Sequence, residues 1–182
     1  PMEERAFLPG VSPTGDQAGW KGSKMKIEKE ILDHIAMPYA VSLLSGPGLS
    51  GVVFASEDRG GPCRLYRPGQ SAETLWTGPG GVMNVIPDGD ATAVWSIRNF
   101  FPVFQSAGAE IVRSERQTDG RWTSEDKAAL PYAHRIAHFM VDGVPHLLAC
   151  SLCAEKEFEQ DWSHPGAVYA GPIVPGQPLT LQ

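Results

Sequence analysis

The chain has 182 residues, 42% of them hydrophobic, and a net charge of −6, which suits one soluble domain. The acidic balance excludes nucleic acid and an anionic membrane as expected partners, and no apolar run reaches the roughly 20 residues of a membrane span. The 20 glycines and 16 prolines favour many short strands joined by turns over a helical bundle. Three cysteines without an export signal indicate reduced thiols and a cytoplasmic location.

Residues 1–24 carry proline, glycine and polar residues without periodicity, and we interpret them as a flexible arm or an upstream extension. Met25 begins the segment MKIEKEILDHIAMPYA. From there to residue 182 we expect a single all-β domain.

An internal repeat predicts the architecture of this domain. His34, Met83 and His134 recur at a spacing of about 50 residues, the length of a four-stranded propeller blade of the kelch kind. The predicted fold is therefore propeller-like, with three four-stranded blades at about 33–79, 80–129 and 130–182. A single β-sandwich or jelly roll of about twelve strands is the alternative, and the equal spacing favours the propeller.

Each repeat resolves into four strand candidates in chain order. The first repeat gives HIAMPYAVSLL, GVVFASE, CRLYRP and ETLWTG; the second gives VMNVIP, ATAVWSI, AEIVRSE and GRWTSE. The third gives HRIAHFMV, HLLACSL, AVYAGPI and PLTLQ, and its first two strands flank an Asp142-Gly143 turn. Since propellers close with four to eight blades, three blades predict part of a larger protein, a ring that two copies complete as a homo-oligomer, or an open stack.

In a propeller, the first strand of each blade begins beside the central channel, so His34, His134 and Arg135 are expected to share one face. His134 or His34 would act as a general base, with Arg135 as an oxyanion clamp, on a sugar or another small molecule. Alternatively, His34 and His134 would bind a divalent zinc, manganese or iron ion, with a third ligand from His138, His164 or an acidic loop residue. The alternative to both roles is that the histidines bond backbone groups at strand starts and that Arg135 faces solvent.

Two polar segments supply candidate substrate-binding residues on the same face. NFFPVFQ contains Asn99, Phe101 and Gln105, and it forms either a stacking platform for a sugar ring or a wedge between blades. DWSHPG contains Asp161, Trp162 and His164, and it forms either a binding loop or a rigid turn in which Asp161 accepts from the Ser163 amide.

The blocks GGVMNVIP, RNFFPVFQSAGAEIV, LPYAHRIAHF and DWSHPGAVY resemble a family of uncharacterised bacterial propeller proteins. They resemble more remotely the propellers with FG-GAP-type repeats and the sugar dehydratases of the aldos-2-ulose type. This resemblance implies a central metal or sugar site faced by His134 and His138. The turns of this chain lack the repeated Asp-x-Asp-Gly calcium pattern of such repeats.

The sequence thus predicts a carbohydrate-related lyase or isomerase that acts through a histidine-lined face. The alternative is a non-catalytic propeller that binds a protein or glycan through a surface formed by Phe100, Phe101 and Trp162.

Overall fold

The computed structural model describes residues 28–46, 49–89 and 92–182. The predicted arm, residues 1–24, lies outside the described residues. Residues 32–182 group into one compact unit; of the other unit, residues 1–31, only residues 28–31 are described. Among the residues that the structure describes, no helical segment has both the length and the apolar character needed to cross a bilayer.

The strands of residues 32–182 form three antiparallel sheets, each with its strands in chain order. The first sheet contains β1 Pro38–Leu44, β2 Gly51–Ser56, β3 Cys63–Tyr66 and β4 Glu73–Trp76. The second contains β5 Asn84–Asp88, β6 Ala93–Arg98, β7 Glu110–Arg116 and β8 Trp122–Ala129, with a 3-10 helix at Val103–Gly108 before β7. The third contains β9 Ala133–Val141, β10 Val144–Ser151 and β11 Val168–Pro172.

Turn chemistry explains the tightest of these connections. Asp142 and Gly143 join β9 to β10 with φ angles of 49° and 80°, the two left-handed residues that a two-residue hairpin of type I′ needs. Asp88 closes β5, and the Gly89 that follows it has a φ of 50°. The predicted turn at Asp142-Gly143 is confirmed.

The second sheet lies between the other two, which cover β6 on both of its faces. One hydrophobic cluster joins the first sheet to Val85 and Val94 of the second. A second cluster joins Trp95 and Ile97, on the opposite face of β6, to the third sheet. All six residues of β6 are therefore buried, as expected for a strand covered on both sides.

The first strands of the three sheets are neighbours, since β5 contacts both β1 and β9. Two side chains secure the contact between β5 and β9. The Asn84 carboxamide oxygen accepts from the Ile136 amide at 2.9 Å, and Arg135 Nη1 donates to the Met83 carbonyl at 3.0 Å. The starts of β1, β5 and β9 are thereby brought close together.

The predicted all-β class is confirmed, with one difference in the third sheet. That sheet has three strands, because residues 178–182, the twelfth strand candidate, do not form a strand. Gln182 exchanges a pair of backbone hydrogen bonds with Ala170 of β11, both at 3.0 Å, and the Thr180 carbonyl lies so close to Gly171 that a Cβ there would clash with it. Proline at position 178 removes a backbone donor that a longer pairing would need.

Candidate functional site

A cavity of about 270 Å³ lies where the three first strands begin, and we call it the first-strand pocket. All three sheets contribute to its lining, which consists of Met37, Tyr39, Glu57, Met83, Phe100, Phe101, Pro102, His134 and Leu152. Its polar side-chain groups are the Tyr39 hydroxyl, the Glu57 carboxylate and the His134 imidazole. An apolar cavity with a few polar groups is the usual form of a small-molecule site.

A repeated backbone feature builds this pocket. A residue with left-handed φ stands just before or near the start of each first strand: Met37 at 45°, Gly81 at 62° and Tyr132 at 57°. The carbonyl of each accepts a hydrogen bond of 3.0 Å from a residue that follows the second strand of the same sheet, namely Glu57, Phe100 and Leu152. Non-glycine residues in this conformation are uncommon and concentrate at ligand sites.

Equivalent positions of the three sheets therefore face the same cavity. Glu57, Phe100 and Leu152 all line it, and so do the residues two positions after each left-handed residue, Tyr39, Met83 and His134. The register of the first and third sheets agrees: Pro38 pairs with Ser56 and Ala133 with Ser151, each followed by a one-residue irregularity. The pocket is thus a product of the repeat.

His134 is the titratable nitrogen base of the pocket. Its ring packs edge-on against Phe100, with 5.5 Å between ring centroids. Burial lowers the pKa of His134 below its ordinary 6.5, and the neighbouring Arg135 guanidinium lowers it further. His134 is therefore neutral at neutral pH and able to accept a proton.

Arg135 does not line the pocket but binds two backbone carbonyl groups beside it. Its Nη1 donates to the Met83 carbonyl at 3.0 Å and to the His134 carbonyl at 2.8 Å. It therefore holds β5 against β9 and, through its charge, favours the neutral form of the His134 imidazole.

The first sheet places Tyr39, and not His34, at the position equivalent to His134. His34 is exposed, and its amide donates to the Asp33 carboxylate at 2.6 Å. The Asp33 carboxylate also accepts from Arg64 and from the Tyr66 hydroxyl, and these bonds lower the pKa of Asp33 to about 2. Sequence reasoning missed Tyr39, although the serines that end β2 and β10, Ser56 and Ser151, would have set the correct register.

The three histidines predicted to share a metal ion do not meet. His134 and His138 lie on the same face of β9 but four residues apart, about 13 Å along a strand. His34 does not line the pocket of His134. Among the described residues, no three His, Cys, Asp or Glu side chains gather as a metal site. The donor set therefore does not fit the ion that the sequence suggested, and no step is assigned to one.

His138 sits instead between the second and third sheets, near the far end of β5. Its Nε2 is buried without a hydrogen-bond partner, 3.9 Å from the Asp88 carboxylate, and its ring contacts Trp95 edge-on. Burial lowers the pKa of His138, and Asp88 opposes this effect more weakly. His138 thus has a partly buried, structural position between the two sheets.

The free energy of unfolding should fall as the pH drops below 6.5. The folded protein keeps His138 neutral while the unfolded chain protonates it near 6.5, so the unfolded state binds more protons in this window. Each unit of lowered pKa corresponds to about 1.4 kcal/mol. Urea unfolding at several pH values should show a weaker acid dependence for His138→Leu than for the wild type, and equal dependence would contradict this role.

Of the residues predicted in NFFPVFQ, Phe101 lines the pocket and two others lie nearby. The Arg59 guanidinium stands 4.1 Å from the centroid of the Phe101 ring and donates to the Gln105 carboxamide. Asn99 donates to the Glu110 carboxylate at 2.7 Å and has a φ of 59°. Phe100 is buried in the core cluster between the second and third sheets, as the wedge interpretation expects.

The residues predicted in DWSHPG form a turn outside the pocket. The Asp161 carboxylate accepts from the Ser163 amide at 2.9 Å, so the predicted turn is confirmed. The Ser163 hydroxyl also donates to this carboxylate, at 2.6 Å, and the hydroxyl and amide bonds lower the pKa of Asp161 to about 2. Trp162 is 57% exposed and carries the Lys156 ammonium 3.4 Å from its ring centroid. His164 lies 3.4 Å from the Glu155 carboxylate.

Comparisons with protein-family models, with curated proteins and with solved structures found no match.

Proposed function

We propose that the three sheets are blades of a propeller-like ring and that the first-strand pocket lies beside its axis. The adjacency of β1, β5 and β9 supports this arrangement, since the first strands of propeller blades line the channel. The convergence of the equivalent residues Tyr39, Met83 and His134 supports it as well. The unpaired cysteines are consistent with a reducing compartment, and we place the protein in the cytoplasm.

The function that this pocket supports best is a carbohydrate-related lyase or isomerase with His134 as general base. The observation that carries the proposal is a half-buried imidazole, with its pKa lowered by burial, that lines a mostly apolar cavity together with a carboxylate and a phenol. The pocket volume is close to the lower end of ligand cavities, roughly 300 Å³. This size favours one small sugar-like substrate over a long chain.

The proposed chemistry is proton abstraction from the carbon next to a carbonyl group. The lone pair of a His134 ring nitrogen takes the proton, and the C–H electron pair becomes an enolate whose oxygen the Tyr39 hydroxyl stabilises by donating a hydrogen bond. In a lyase, the enolate expels a β-hydroxyl group, which leaves as water with the proton from His134. In an isomerase, the proton of the neighbouring hydroxyl group moves to the enolate oxygen, and a proton from His134, after exchange with solvent, adds to the former carbonyl carbon, so that the carbonyl group shifts by one carbon. Both reactions balance without an oxidant or a reductant.

Proton nuclear magnetic resonance in D2O tests this proposal on a panel of candidate substrates. The chain is incubated with aldoses, ketoses and uronic acids, and we expect deuterium to enter the position next to the carbonyl, with or without loss of water. The rate should rise with pH through a value below 6.5 and then level, because only neutral His134 accepts a proton. If every sugar exchanges deuterium no faster with the protein than in buffer alone, the proposal is overturned.

A non-catalytic role in binding a protein or glycan is the second candidate, and Trp162 favours it. This side chain and Phe158, 56% exposed, lie on the long loop between β10 and β11. Exposed aromatic residues are common at binding surfaces. A surface of this kind would not include Phe100, which is buried.

A further inference from the structure

The first and third sheets each leave one apolar face uncovered by any other sheet of the described chain. On the first sheet this face includes Val41 and Leu43 of β1, which are 59% and 73% exposed. On the third sheet it includes Leu148 of β10 and Val168 of β11, which are 39% and 69% exposed. We call these the leading face and the trailing face. Exposed apolar areas of this kind mark interaction surfaces.

The leading and trailing faces continue the sheet-to-sheet packing found inside the chain. The second sheet turns one face, with Val85 and Val94, toward the first sheet and the opposite face, with Trp95, toward the third. The leading face of the first sheet corresponds to the Val85 face, and the trailing face of the third sheet corresponds to the Trp95 face. If the trailing face of one copy packed on the leading face of another, the contact would repeat the packing that successive sheets already have within residues 32–182.

The leading face is open only over β1 and β2. Toward β3 it is covered by Asp33, whose carboxylate accepts from Arg64 and from Tyr66. The trailing face is mixed, because Arg135 and His146 stand beside its apolar residues in the pairing of β9 with β10. A mixed apolar and polar surface is typical of interfaces between subunits.

The area of these faces favours a closed pair of chains over an open filament. The open part of the leading face, two strands of 7 and 6 residues, covers roughly 200 Å². One trailing-to-leading contact would then bury roughly 400 Å², far below the range of stable interfaces, whereas two such contacts would bury roughly 800 Å², close to the lower end of weak specific interfaces. A pair related by a two-fold axis makes both contacts at once.

We propose that a second copy of this chain closes the ring, with the trailing face of each copy packed on the leading face of the other. The inference rests on the propeller-like arrangement proposed above and adds the partner. It also bears on the pocket, because Met37 and Tyr39 line the pocket from the first sheet and are 55% and 44% exposed. The trailing face of the second copy would lie beside these two residues and enclose the pocket.

Native mass spectrometry and light scattering of the full chain test this inference. We expect a particle of twice the 19.6 kDa chain mass. Leu43→Glu on the leading face and Val168→Lys on the trailing face should each give monomers, because one unpaired charge in every interface raises the dissociation constant on the order of 100-fold or more. Phe158→Glu, a matched substitution on an exposed loop residue, should leave the dimer intact.

Mixing the two charged variants separates this arrangement from other dimers. A mixed pair of Leu43→Glu and Val168→Lys retains one interface with both wild-type faces, so we expect dimers to reappear only in the mixture. Circular dichroism confirms that each variant is folded. A monomeric wild-type chain at all concentrations would overturn the inference and assign these faces to further sheets of a longer polypeptide. Open polymers, or no recovery on mixing, would also overturn it.

The result is independent of the proposed reaction. His134→Ala should leave the chain dimeric even if it removes turnover, since His134 lies on neither open face. A dimer without deuterium exchange activity would support the second copy and overturn the lyase or isomerase. A monomer with deuterium exchange activity would support the lyase or isomerase and overturn the second copy.

Discussion

Replacing His134 by alanine should lower the rate of deuterium exchange or elimination by about 10²- to 10⁴-fold, the usual contribution of a general base. The loss should appear in kcat more than in KM, because the imidazole stabilises the transition state of proton transfer and contributes little to binding the sugar. The folded structure should persist, since His134 is only half-buried and its Phe100 contact is an edge contact at 5.5 Å.

His138→Ala is the matched control for this variant. His138 lies on the same strand and the same face as His134, and the pKa of each is lowered by burial, but His138 does not line the first-strand pocket. We expect His138→Ala to keep wild-type turnover while losing stability. Equal activity of the wild type and His134→Ala on a converted substrate would contradict the role of His134 and favour a binding protein.

Replacing Arg98 by alanine should lower the free energy of unfolding by about 3–5 kcal/mol. Arg98 is 3% exposed, and its guanidinium stacks 3.7 Å above the Trp76 ring, across the boundary between the first and second sheets. It donates to the Ser96 and Ser124 hydroxyls at 3.1 Å and also to the Ser114 hydroxyl. Its removal would leave a cavity and take a charged donor from the buried Ser96 and Ser114 hydroxyls, which would keep their bonds to neutral groups. A loss of this size is a large share of a typical domain stability of about 5–15 kcal/mol.

Arg98→Lys is the control that isolates the planar donor group. Lysine keeps the charge and much of the stem but cannot donate in a fixed fork to serines on separate strands. We expect a smaller loss for Arg98→Lys than for Arg98→Ala in urea unfolding followed by tryptophan fluorescence. If the alanine variant loses less than about 1 kcal/mol, which is typical of surface positions, Arg98 does not hold the two sheets together.

The strands could be predicted from the sequence because their signals are local. Glycine and aspartate turns, as at Asp142-Gly143, separate short apolar runs, and the strands fall within those runs. The buried run around Trp95 lacks polar alternation, and the structure shows why: β6 is covered on both faces. Residues 178–182 lie along β11 and bond Ala170 through Gln182 but do not form a strand, because ladder pairing depends on a neighbour as well as on composition.

The alignment of the repeats could not be predicted, because it depends on backbone geometry. Matching His34 to His134 follows residue type, whereas the structure aligns Tyr39 with His134 through the left-handed residues Met37 and Tyr132. Left-handed backbone at methionine and tyrosine leaves no sequence signal, since these are not the residues that usually adopt it. The buried position of Arg98 has no local signal either, because it depends on hydroxyl groups from three different strands.

The candidate site was predicted in part. His134, at the start of a first strand, and Phe101, in the loop after a second strand, both line the pocket, and their catalytic and binding roles stay predictions. His164, Asp161 and Trp162 lie on the loop after β10, where Asp161 fixes a turn through Ser163. That loop closes on itself through the bridge between Cys153 and Pro165, a pairing distant in sequence that no local pattern indicates.

The measurement that tests the central claim most directly is a nuclear magnetic resonance titration of the His134 ring, with and without the sugar panel. A desolvated imidazole in the first-strand pocket should have a pKa below 6.5, and its ring signals should shift when a sugar binds. His138 serves as the internal reference, because its pKa is also lowered but no sugar should move its signals. An ordinary pKa near 6.5 for His134, unmoved by every sugar, would contradict a desolvated base in a sugar site.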